Sequence, residues 1–325
     1  MDRKKVLITG GLGFIGSNLA WRCLELGAEV TVYDNLDPNT GGNLYNVHDI
    51  KGSIDICYND ILDYDRLVEQ VVGKDIVFNC AASTSHPFSM REPWLDLDAN
   101  SRGTINLLEA LRHFNPDAKL VHIGTSTQLG KLQYQPADEN HPEFPLDIYS
   151  ANKSVSEKYV LIYAHAHAMQ TTVIRLPNVY GPRASIHSAE FTFNNYFIGL
   201  ALQGKEIRVY GTGGQKRNLI YVDDAVDALI SAATHAESNG QTFFAASDEH
   251  FSVAQIAEWI VKIIGKGSVK FIEWPDERKV TEIGDAVISN QKIKRTLGWS
   301  PKVDLQTGLS RTRDYFSTCL EKYIK

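Results

Sequence analysis

The segment from Val6 to Gly16, which reads VLITGGLGFIG, constrains the fold of this chain more than any other part of the sequence. Its first residues are apolar and β-branched, as in a buried strand, and glycines follow at positions 10, 13 and 16. Gly10 permits a tight turn, Gly13 lets a pyrophosphate approach the backbone, and Gly16 allows a following helix to pack closely on the strand. The N-terminus of that helix offers free N–H groups and a positive dipole end to phosphates. The segment therefore predicts a dinucleotide-binding turn.

Short apolar runs alternate with amphipathic stretches through the first half of the chain. The runs lie at residues 6–8, 29–33, 54–56, 76–78, 120–123 and 171–174, and helical patterns at 17–26, 64–72, 103–113 and about 149–168. Buried strands separated by helices predict an α/β fold with a Rossmann-type, doubly wound parallel sheet. After about residue 175 the alternation loosens. We therefore expect residues 1–175 to form the dinucleotide-binding domain, with returns from the later chain, and residues 176–325 mainly a smaller C-terminal substrate-binding lobe.

Composition and charge exclude several classes of protein. The 325 residues are 43% hydrophobic and 22% charged, and the net charge of -6 gives no reason to expect a nucleic-acid partner. The sequence has no run of 18 apolar residues, so no membrane span is expected. The N-terminal apolar stretch is broken by glycines, and no signal-peptide cleavage pattern follows it. The four cysteines are scattered, which favours free thiols in a cytoplasmic protein without a metal site.

Asp34 indicates which dinucleotide the turn binds. It lies 18 residues after Gly16, at the end of the second predicted strand. A carboxylate there can accept hydrogen bonds from both hydroxyls of the adenosine ribose, and it repels a 2′-phosphate. Between Asp34 and Asn43 the sequence has no Arg or Lys to hold such a phosphate. The sequence therefore predicts NAD, rather than NADP, as the cofactor.

Tyr149 and Lys153 are candidate catalytic residues because they lie four positions apart in a predicted helix, and so on one face of it. A phenol with its ordinary pKa near 10 is a poor base, but a neighbouring ammonium and the positive nicotinamide favour the phenolate. Thr125 follows the predicted strand at 120–123. Since the carboxyl ends of parallel strands face the cofactor crevice, its hydroxyl can orient the reacting alcohol toward Tyr149.

These motifs, taken in order, resemble the extended short-chain dehydrogenase/reductase family. Within it they are similar to the NAD-dependent sugar-nucleotide epimerases and dehydratases, of the UDP-glucose 4-epimerase type. The likeness runs from about Lys5 to Pro301. Besides the glycine turn and the Tyr149–Lys153 pair, the matching segments are residues 34–36, 59–61, 81–82, 100–108, 175–183 and 217–224.

The resemblance also implies binding residues that spacing alone does not single out. Tyr149, as base and acid, and Lys153, as donor to the nicotinamide ribose, would also contact the cofactor. Further cofactor contacts are expected at Phe14, Ile15, Asn35, Asp60, Ile61, Ala81, Ala82, Asn100 and Pro177. Candidate contacts to a nucleotide-sugar substrate are Thr84, Thr125, Ser126, Asn178, Tyr210, Arg217 and Arg278. The two arginines are candidates because a guanidinium fork suits phosphate oxygens.

The residues after Thr125 bear on the reaction. Dehydratases of this family carry an Asp–Glu pair there, and the decarboxylases usually a Glu, whereas this chain has Ser126 and Thr127. Neither hydroxyl can serve as a general acid near neutral pH. A ketoreductase usually needs NADPH, which Asp34 disfavours. We therefore expect a 4-epimerase for UDP-glucose, UDP-N-acetylglucosamine or UDP-glucuronate, working by C4 oxidation, rotation of the 4-keto sugar and re-reduction.

Other functions stay open at this point. A 2-epimerase, a dehydratase or a ketoreductase of the same family would share most of these motifs. A non-catalytic NAD-binding sensor is less favoured, because both Tyr149 and Lys153 are present. His86 is either an ordinary loop residue or a sugar contact. From the resemblance we also expect a homodimer that packs the helices at 100–113 and 149–168 against a partner.

Overall fold

The computed structural model describes residues 1–279 and 281–324, except for the side chains of Glu277 and Arg278. In chain order the strands are β1 (Lys5–Thr9), β2 (Glu29–Tyr33), β3 (Asp55–Cys57), β4 (Ile76–Asn79), β5 (Lys119–Thr125), β6 (Thr171–Leu176), β7 (Asn178–Tyr180), β8 (Glu206–Tyr210), β9 (Lys216–Tyr221), β10 (Gln241–Phe244), β11 (His250–Ser252) and β12 (Ser268–Ile272).

The α-helices are α1 (Phe14–Glu25), α2 (Tyr64–Val71), α3 (His86–Arg91), α4 (Pro93–Leu97), α5 (Gly103–Phe114), α6 (Ile148–His167), α7 (Phe193–Leu202), α8 (Val222–Thr234), α9 (Val253–Ile264), α10 (Asp276–Lys279), α11 (Gln291–Leu297) and α12 (Leu305–Cys319). A π-helical turn at Asp98–Arg102 joins α4 to α5. Among the helices described, none combines the length and the apolar character that a membrane crossing requires.

Seven of the described strands form one parallel sheet in the order β10-β6-β5-β4-β1-β2-β3. Both faces of this sheet are covered, as successive side chains of β1 show. Val6 and Ile8 face one core cluster, and Leu7 faces the other. Helices α1 and α8 cover the first face, and α2, α5 and α6 cover the second. The predicted α/β fold with a doubly wound parallel sheet is thereby confirmed. Because β1 lies between β2 and β4, the chain changes direction there, and such a switch point opens a crevice at the carboxyl ends of the strands.

The later part of the chain is divided between this sheet and a second group of elements. β10 pairs with β6 in the main sheet, although it lies far along the sequence. β7, β9 and β11 form a small mixed sheet, and β8 pairs with β12. Pro177 alone separates β6 from β7, so the chain passes directly from the end of the main sheet into the second group. Residues 177–180 therefore lie where the two groups meet.

Helix α6, which contains Tyr149 and Lys153, is joined to the main sheet by a buried ion pair. The Arg175 guanidinium on β6 donates to both carboxylate oxygens of Glu157, from Nε at 2.8 Å and from Nη2 at 2.6 Å. The two side chains are 2% and 1% exposed. Arg175 also pairs with Glu143 at 2.5 Å. Because a buried charge is costly once its partner is lost, this pair fixes α6 against β6.

We predict that Glu157→Gln lowers the free energy of unfolding by about 3 kcal/mol, because the buried Arg175 charge keeps only one carboxylate partner. Urea unfolding followed by circular dichroism measures this change. The matched control is Glu69→Gln, which removes an exposed ion pair with Arg66 and should cost less than about 1 kcal/mol. Equal losses in the two variants would contradict the anchoring of α6 by Arg175.

Candidate active site

A cleft opens at the carboxyl ends of β1, β4, β5 and β6 and holds most of the predicted site. The predicted cofactor residues that line it are Gly10, Gly13, Phe14, Ile15, Gly16, Asp34, Asn35, Asp60, Ile61, Ala81, Ala82, Tyr149, Lys153 and Pro177. The predicted substrate residues that line it are Thr84, Thr125, Ser126 and Asn178. Residues far apart in the sequence are thus brought into one continuous cavity.

The glycine turn forms a cradle that no larger residue could form. Gly10 has φ +66°, and a Cβ there would lie 2.7 Å from the Ala81 nitrogen. A Cβ on Gly16 would lie 2.3 Å from the Gly10 carbonyl oxygen. Gly13 caps α1 without offering a side chain to its first N–H groups, and Phe14 and Ile15 of that first turn line the cleft. This arrangement fits the pyrophosphate of a dinucleotide.

Asp34 is held in place at the end of β2 by the backbone around it. Its Oδ2 accepts from the Leu12 N–H at 2.9 Å, and its Oδ1 accepts from the Leu36 N–H at 2.8 Å. Burial raises the pKa of this carboxyl, and the two backbone hydrogen bonds oppose the rise. Each carboxylate oxygen keeps a second lone pair. The side chain can therefore still accept the ribose hydroxyls of NAD.

Asp60 and Asn35 lie together in the cleft, but Asn100 does not reach it. The Asn35 Nδ2 donates to the Asp60 Oδ2 at 2.8 Å, and the Leu62 N–H donates to the Asp60 Oδ1 at 2.8 Å. Asn100 is 1% exposed, and its Nδ2 donates to the carbonyl oxygen of Ser83 at 3.0 Å. In this position Asn100 supports the cleft wall from behind through Ser83, and its direct contact with the cofactor stays a prediction.

Thr125, Tyr149 and Lys153 line one stretch of the cleft. The sequence predicted that Thr125 follows the strand. Thr125 is instead the last residue of β5, because backbone pairing with β6 continues to Leu176. Its Oγ1 lies 3.1 Å from the Thr127 Oγ1. The Lys153 Nζ lies 3.4 Å from the Nε2 of His122, which is fully buried.

Burial favours the neutral forms of Tyr149 and Lys153 by shifting their pKa values in opposite directions. It raises the pKa of the Tyr149 phenol, the Thr125 hydroxyl partly offsets this, and the charges of Asp96 and Asp147 add to it. It lowers the pKa of the Lys153 ammonium to about 8. In the chain without cofactor, desolvation and two carboxylates thus favour the neutral phenol, and its activation by Lys153 together with the nicotinamide charge stays a prediction. The positive nicotinamide of bound NAD would supply the missing charge.

Asp147 is a residue of the site that the sequence reasoning missed. Its Oδ2 lies 2.7 Å from the Nδ1 of His86, and its Oδ1 accepts from the Ser150 N–H at 2.8 Å, capping α6. The His86 ring packs edge-on against the Tyr149 ring, with 4.8 Å between centroids, and it lines the cleft. An Asp two residues before Tyr149 is visible in the sequence only as a helix cap. Its pairing with His86 requires the packing of α3 against α6.

Tyr210 and Arg217 are not among the residues that line this cleft, unlike Thr84, Thr125, Ser126 and Asn178. Tyr210 packs against Trp274, with 5.2 Å between ring centroids. The Arg217 Nη2 donates to the Glu282 Oε1 at 2.7 Å, and its Nη1 donates to the Gly284 carbonyl oxygen. Two residues of the loop after α10 thus already accept hydrogen bonds from the guanidinium that was predicted to hold a phosphate. The Arg278 side chain lies outside the described part of the structure.

Comparison with known proteins shows the family of this chain. Residues 6–246 match the model of the NAD dependent epimerase/dehydratase family. A putative UDP-glucose 4-epimerase of Methanocaldococcus jannaschii is 31% identical over 308 residues, covering 94% of this chain and 96% of that protein. UDP-glucuronic acid decarboxylase 1 of Xenopus tropicalis is 31% identical over 326 residues, covering 98% of this chain and 74% of that protein.

A solved structure shows the same fold at similar length. The crystal structure of UDP-glucose 4-epimerase with UDP-glucose from Thermotoga maritima superposes with a TM-score of 0.88 and 28% identity, covering 97% of this chain and 99% of that one. This chain belongs to the NAD-dependent epimerase/dehydratase family. It is an NAD-dependent enzyme of the extended short-chain dehydrogenase/reductase type, as the sequence predicted.

We predict that Lys153 changes protonation near pH 8 in the NAD-free protein, because burial lowers the pKa of its ammonium. Below that pH the amine is protonated and unreactive toward acetic anhydride, and above it the neutral amine is acylated. Mass spectrometry of the peptide after brief labelling between pH 6 and 11 measures the midpoint. Bound NAD should protect the residue. A midpoint at the ordinary lysine value, about 10.4, would show that Lys153 is not desolvated.

Proposed function

We propose that this enzyme is a sugar-nucleotide 4-epimerase for UDP-glucose, UDP-N-acetylglucosamine or UDP-glucuronate. The observation that carries the proposal is that Thr125, Tyr149 and Lys153 line the same cleft as the NAD cradle. A hydroxyl, a phenol and an ammonium in that place suit the oxidation and re-reduction of a secondary alcohol. The resemblance to proteins named as UDP-glucose 4-epimerases supports the choice of C4.

Three side chains have separate roles in the proposed reaction. Thr125 and Tyr149 hold the C4 hydroxyl, and Tyr149 takes its proton and later returns it. Lys153 donates to the nicotinamide ribose and keeps a positive charge near the phenol. NAD, when bound, accepts the C4 hydride and gives it back, so no net oxidation results.

Inversion at C4 requires the 4-keto sugar to turn while the nucleotide stays bound. We propose that residues 176–325 mainly hold the nucleotide, with Asn178, Tyr210, Arg217 and Arg278 as contacts. Arg217 can take a phosphate only after its ion pair with Glu282 opens. A phosphate is a stronger acceptor set for a guanidinium fork than a single carboxylate oxygen, so the exchange is chemically reasonable.

A decarboxylase acting on a UDP-linked uronic acid is the second candidate. The relative named UDP-glucuronic acid decarboxylase 1 matches 98% of this chain, which favours it. Oxidation at C4 of a uronate gives a β-keto acid, which loses carbon dioxide readily. The two reactions differ in their products. The decarboxylase would release a UDP-linked pentose, whereas the epimerase would leave the carboxylate on the sugar.

We predict that NAD-loaded enzyme converts at least one of the three UDP-sugars to its 4-epimer, read by proton NMR. Tyr149→Phe should lower kcat by about 100- to 10,000-fold, because the group that transfers the proton is lost. Tyr159→Phe, on the same helix but outside the cleft-lining set, is the matched control and should retain activity. A pentose product from UDP-glucuronate would instead establish the decarboxylase. Full activity of Tyr149→Phe would refute the assignment of the base.

We also propose that the enzyme is a homodimer formed through α5 and α6. Several large apolar side chains are exposed on and beside these helices: Trp94 (77%), Leu95 (52%), Phe114 (51%), Val155 (39%) and Ile162 (53%). Large exposed apolar patches are typical of interfaces between proteins, and we propose that these side chains belong to one. Val155 and Ile162 lie two helical turns apart on α6, and so on one side of it.

We predict that the double variant Val155→Glu, Ile162→Glu is a monomer in sedimentation-velocity experiments at concentrations where the unmodified enzyme is a dimer. Two buried carboxylates per subunit would oppose association, because each would lose its hydration without a partner. The control is Phe271→Glu on β12, which also replaces a half-exposed apolar residue but lies on another element. Dissociation of the control alone would place the interface elsewhere.

A further inference from the structure

His86 and Asp147 form a pair in the cleft that the proposed epimerase reaction does not use. The Asp147 side chain is 6% exposed and the His86 side chain is 35% exposed. Their contact, from Nδ1 to Oδ2, is 2.7 Å long. The ring of His86 touches that of Tyr149, with an interplanar angle of 77°. A titratable side chain thus lies directly beside the proposed base.

The pair fixes which nitrogen of His86 is available. Burial would raise the pKa of the Asp147 carboxyl, but the hydrogen bond and charge of His86 outweigh it, so the pKa falls below its usual value. An ionised carboxylate can only accept, so Nδ1 must carry a proton. In the neutral ring the lone pair is then on Nε2. Among the described residues Nε2 has no hydrogen-bond partner, and the ring lines the cleft.

We propose that His86, oriented by Asp147, is a second acid–base group that removes a proton from a sugar carbon adjacent to C4. The inference rests on the proposed function, because only a ketone at C4 makes those C–H bonds acidic. In the step, the C–H bond breaks and the proton goes to the His86 Nε2. The C–H electron pair becomes a C=C bond, and the carbonyl π pair moves to O4, which takes a proton from Tyr149.

The reverse step restores the ketone, with a proton returned from His86 or from solvent. Reprotonation on the same face exchanges the hydrogen, and reprotonation on the other face inverts that carbon. The site thereby gains a class of chemistry, proton transfer next to a carbonyl, that Ser126 and Thr127 cannot supply. His86 comes from α3, on a different element from these two residues.

The alternative is that the pair only ties α3 to α6. Ser85 caps α3, and Ser89 of that helix accepts from the Tyr149 N–H at 3.0 Å, so α3 already has other contacts with α6. A purely structural pair predicts no effect on hydrogen exchange per folded molecule. Deuterium exchange therefore separates the two roles.

The experiment supplies the ketone directly, as UDP-4-keto-6-deoxyglucose in deuterium oxide with the NAD-loaded enzyme. Proton NMR follows the loss of the signals at C3 and C5. We expect the enzyme to accelerate exchange at one of these carbons at least tenfold over the protein-free rate. His86→Gln should abolish the acceleration. Asp147→Asn should reduce it at least tenfold while keeping an α6 cap, because Asn caps as well as Asp.

The matched control is His165→Gln, an exposed histidine on α6 away from the cleft, which should exchange like the unmodified enzyme. Circular dichroism and NAD binding check that each variant is folded. Exchange no faster than without protein, or undiminished in folded His86→Gln, would overturn the inference. If the enzyme forms a C4 epimer from one of the three UDP-sugars but does not accelerate this exchange, the inference about His86 fails and the proposed function stands. If the enzyme accelerates exchange but forms no C4 epimer from any of them, the proposed function fails and the inference about His86 stands.

Discussion

The position of α6, the helix that contains Tyr149 and Lys153, depends on two buried carboxylates, those of Asp147 and Glu157. Asp147 caps α6 through the Ser150 N–H and at the same time holds the imidazole of His86. Since α6 carries both Tyr149 and Lys153, the geometry of proton transfer depends on this cap. The Arg175–Glu157 pair holds the same helix about three turns further along, against β6. A helix fixed at both points can present its side chains to the cleft without moving.

Fixing the helix in a buried place has an electrostatic consequence. Desolvation favours the neutral phenol of Tyr149 and the neutral amine of Lys153. Near pH 7 the phenol of Tyr149 is a poor proton acceptor, because burial makes it hold its proton more tightly than in water. If Tyr149 is the base, as proposed, its proton transfer would depend on the arrival of a positive charge in the cleft. Such coupling would keep the base inactive until the cofactor site is filled.

The parts of the fold and site that local pattern determines could be predicted from the sequence. The glycine turn, Asp34 and the helix that carries Tyr149 each depend on neighbours within one strand–helix unit. Pairings across long stretches of chain could not be predicted. Asp147 and His86 are 61 residues apart, and Arg217 and Glu282 are 65 apart. Both contacts depend on how elements pack, and polar side chains carry no periodic signal of their partners.

The boundaries and the sheet partners were missed for the same reason. The strand pattern at 120–123 contains no sign that pairing continues to Thr125, since Gly124 and Thr125 are not apolar. Their place in β5 comes from hydrogen bonds to Arg175 and Leu176 of β6. β10 joins β6 from the far end of the sequence, where the alternation of strands and helices is lost. A contact made by backbone alone leaves no trace in the side-chain pattern.

The residues that are present in the cleft therefore constrain the reaction more than those that are missing from it. Ser126 and Thr127 lack acid–base chemistry, but they fix only the part of the cleft at the end of β5. The proton of a bound sugar can leave toward any wall of the cleft, and α3 forms another wall, where His86 lies. In the proposed mechanism, Tyr149 and His86, whose rings are in contact, would transfer protons at different atoms of one sugar ring. Which reaction follows C4 oxidation then depends on the carbon that faces His86, rather than on the residues that follow Thr125.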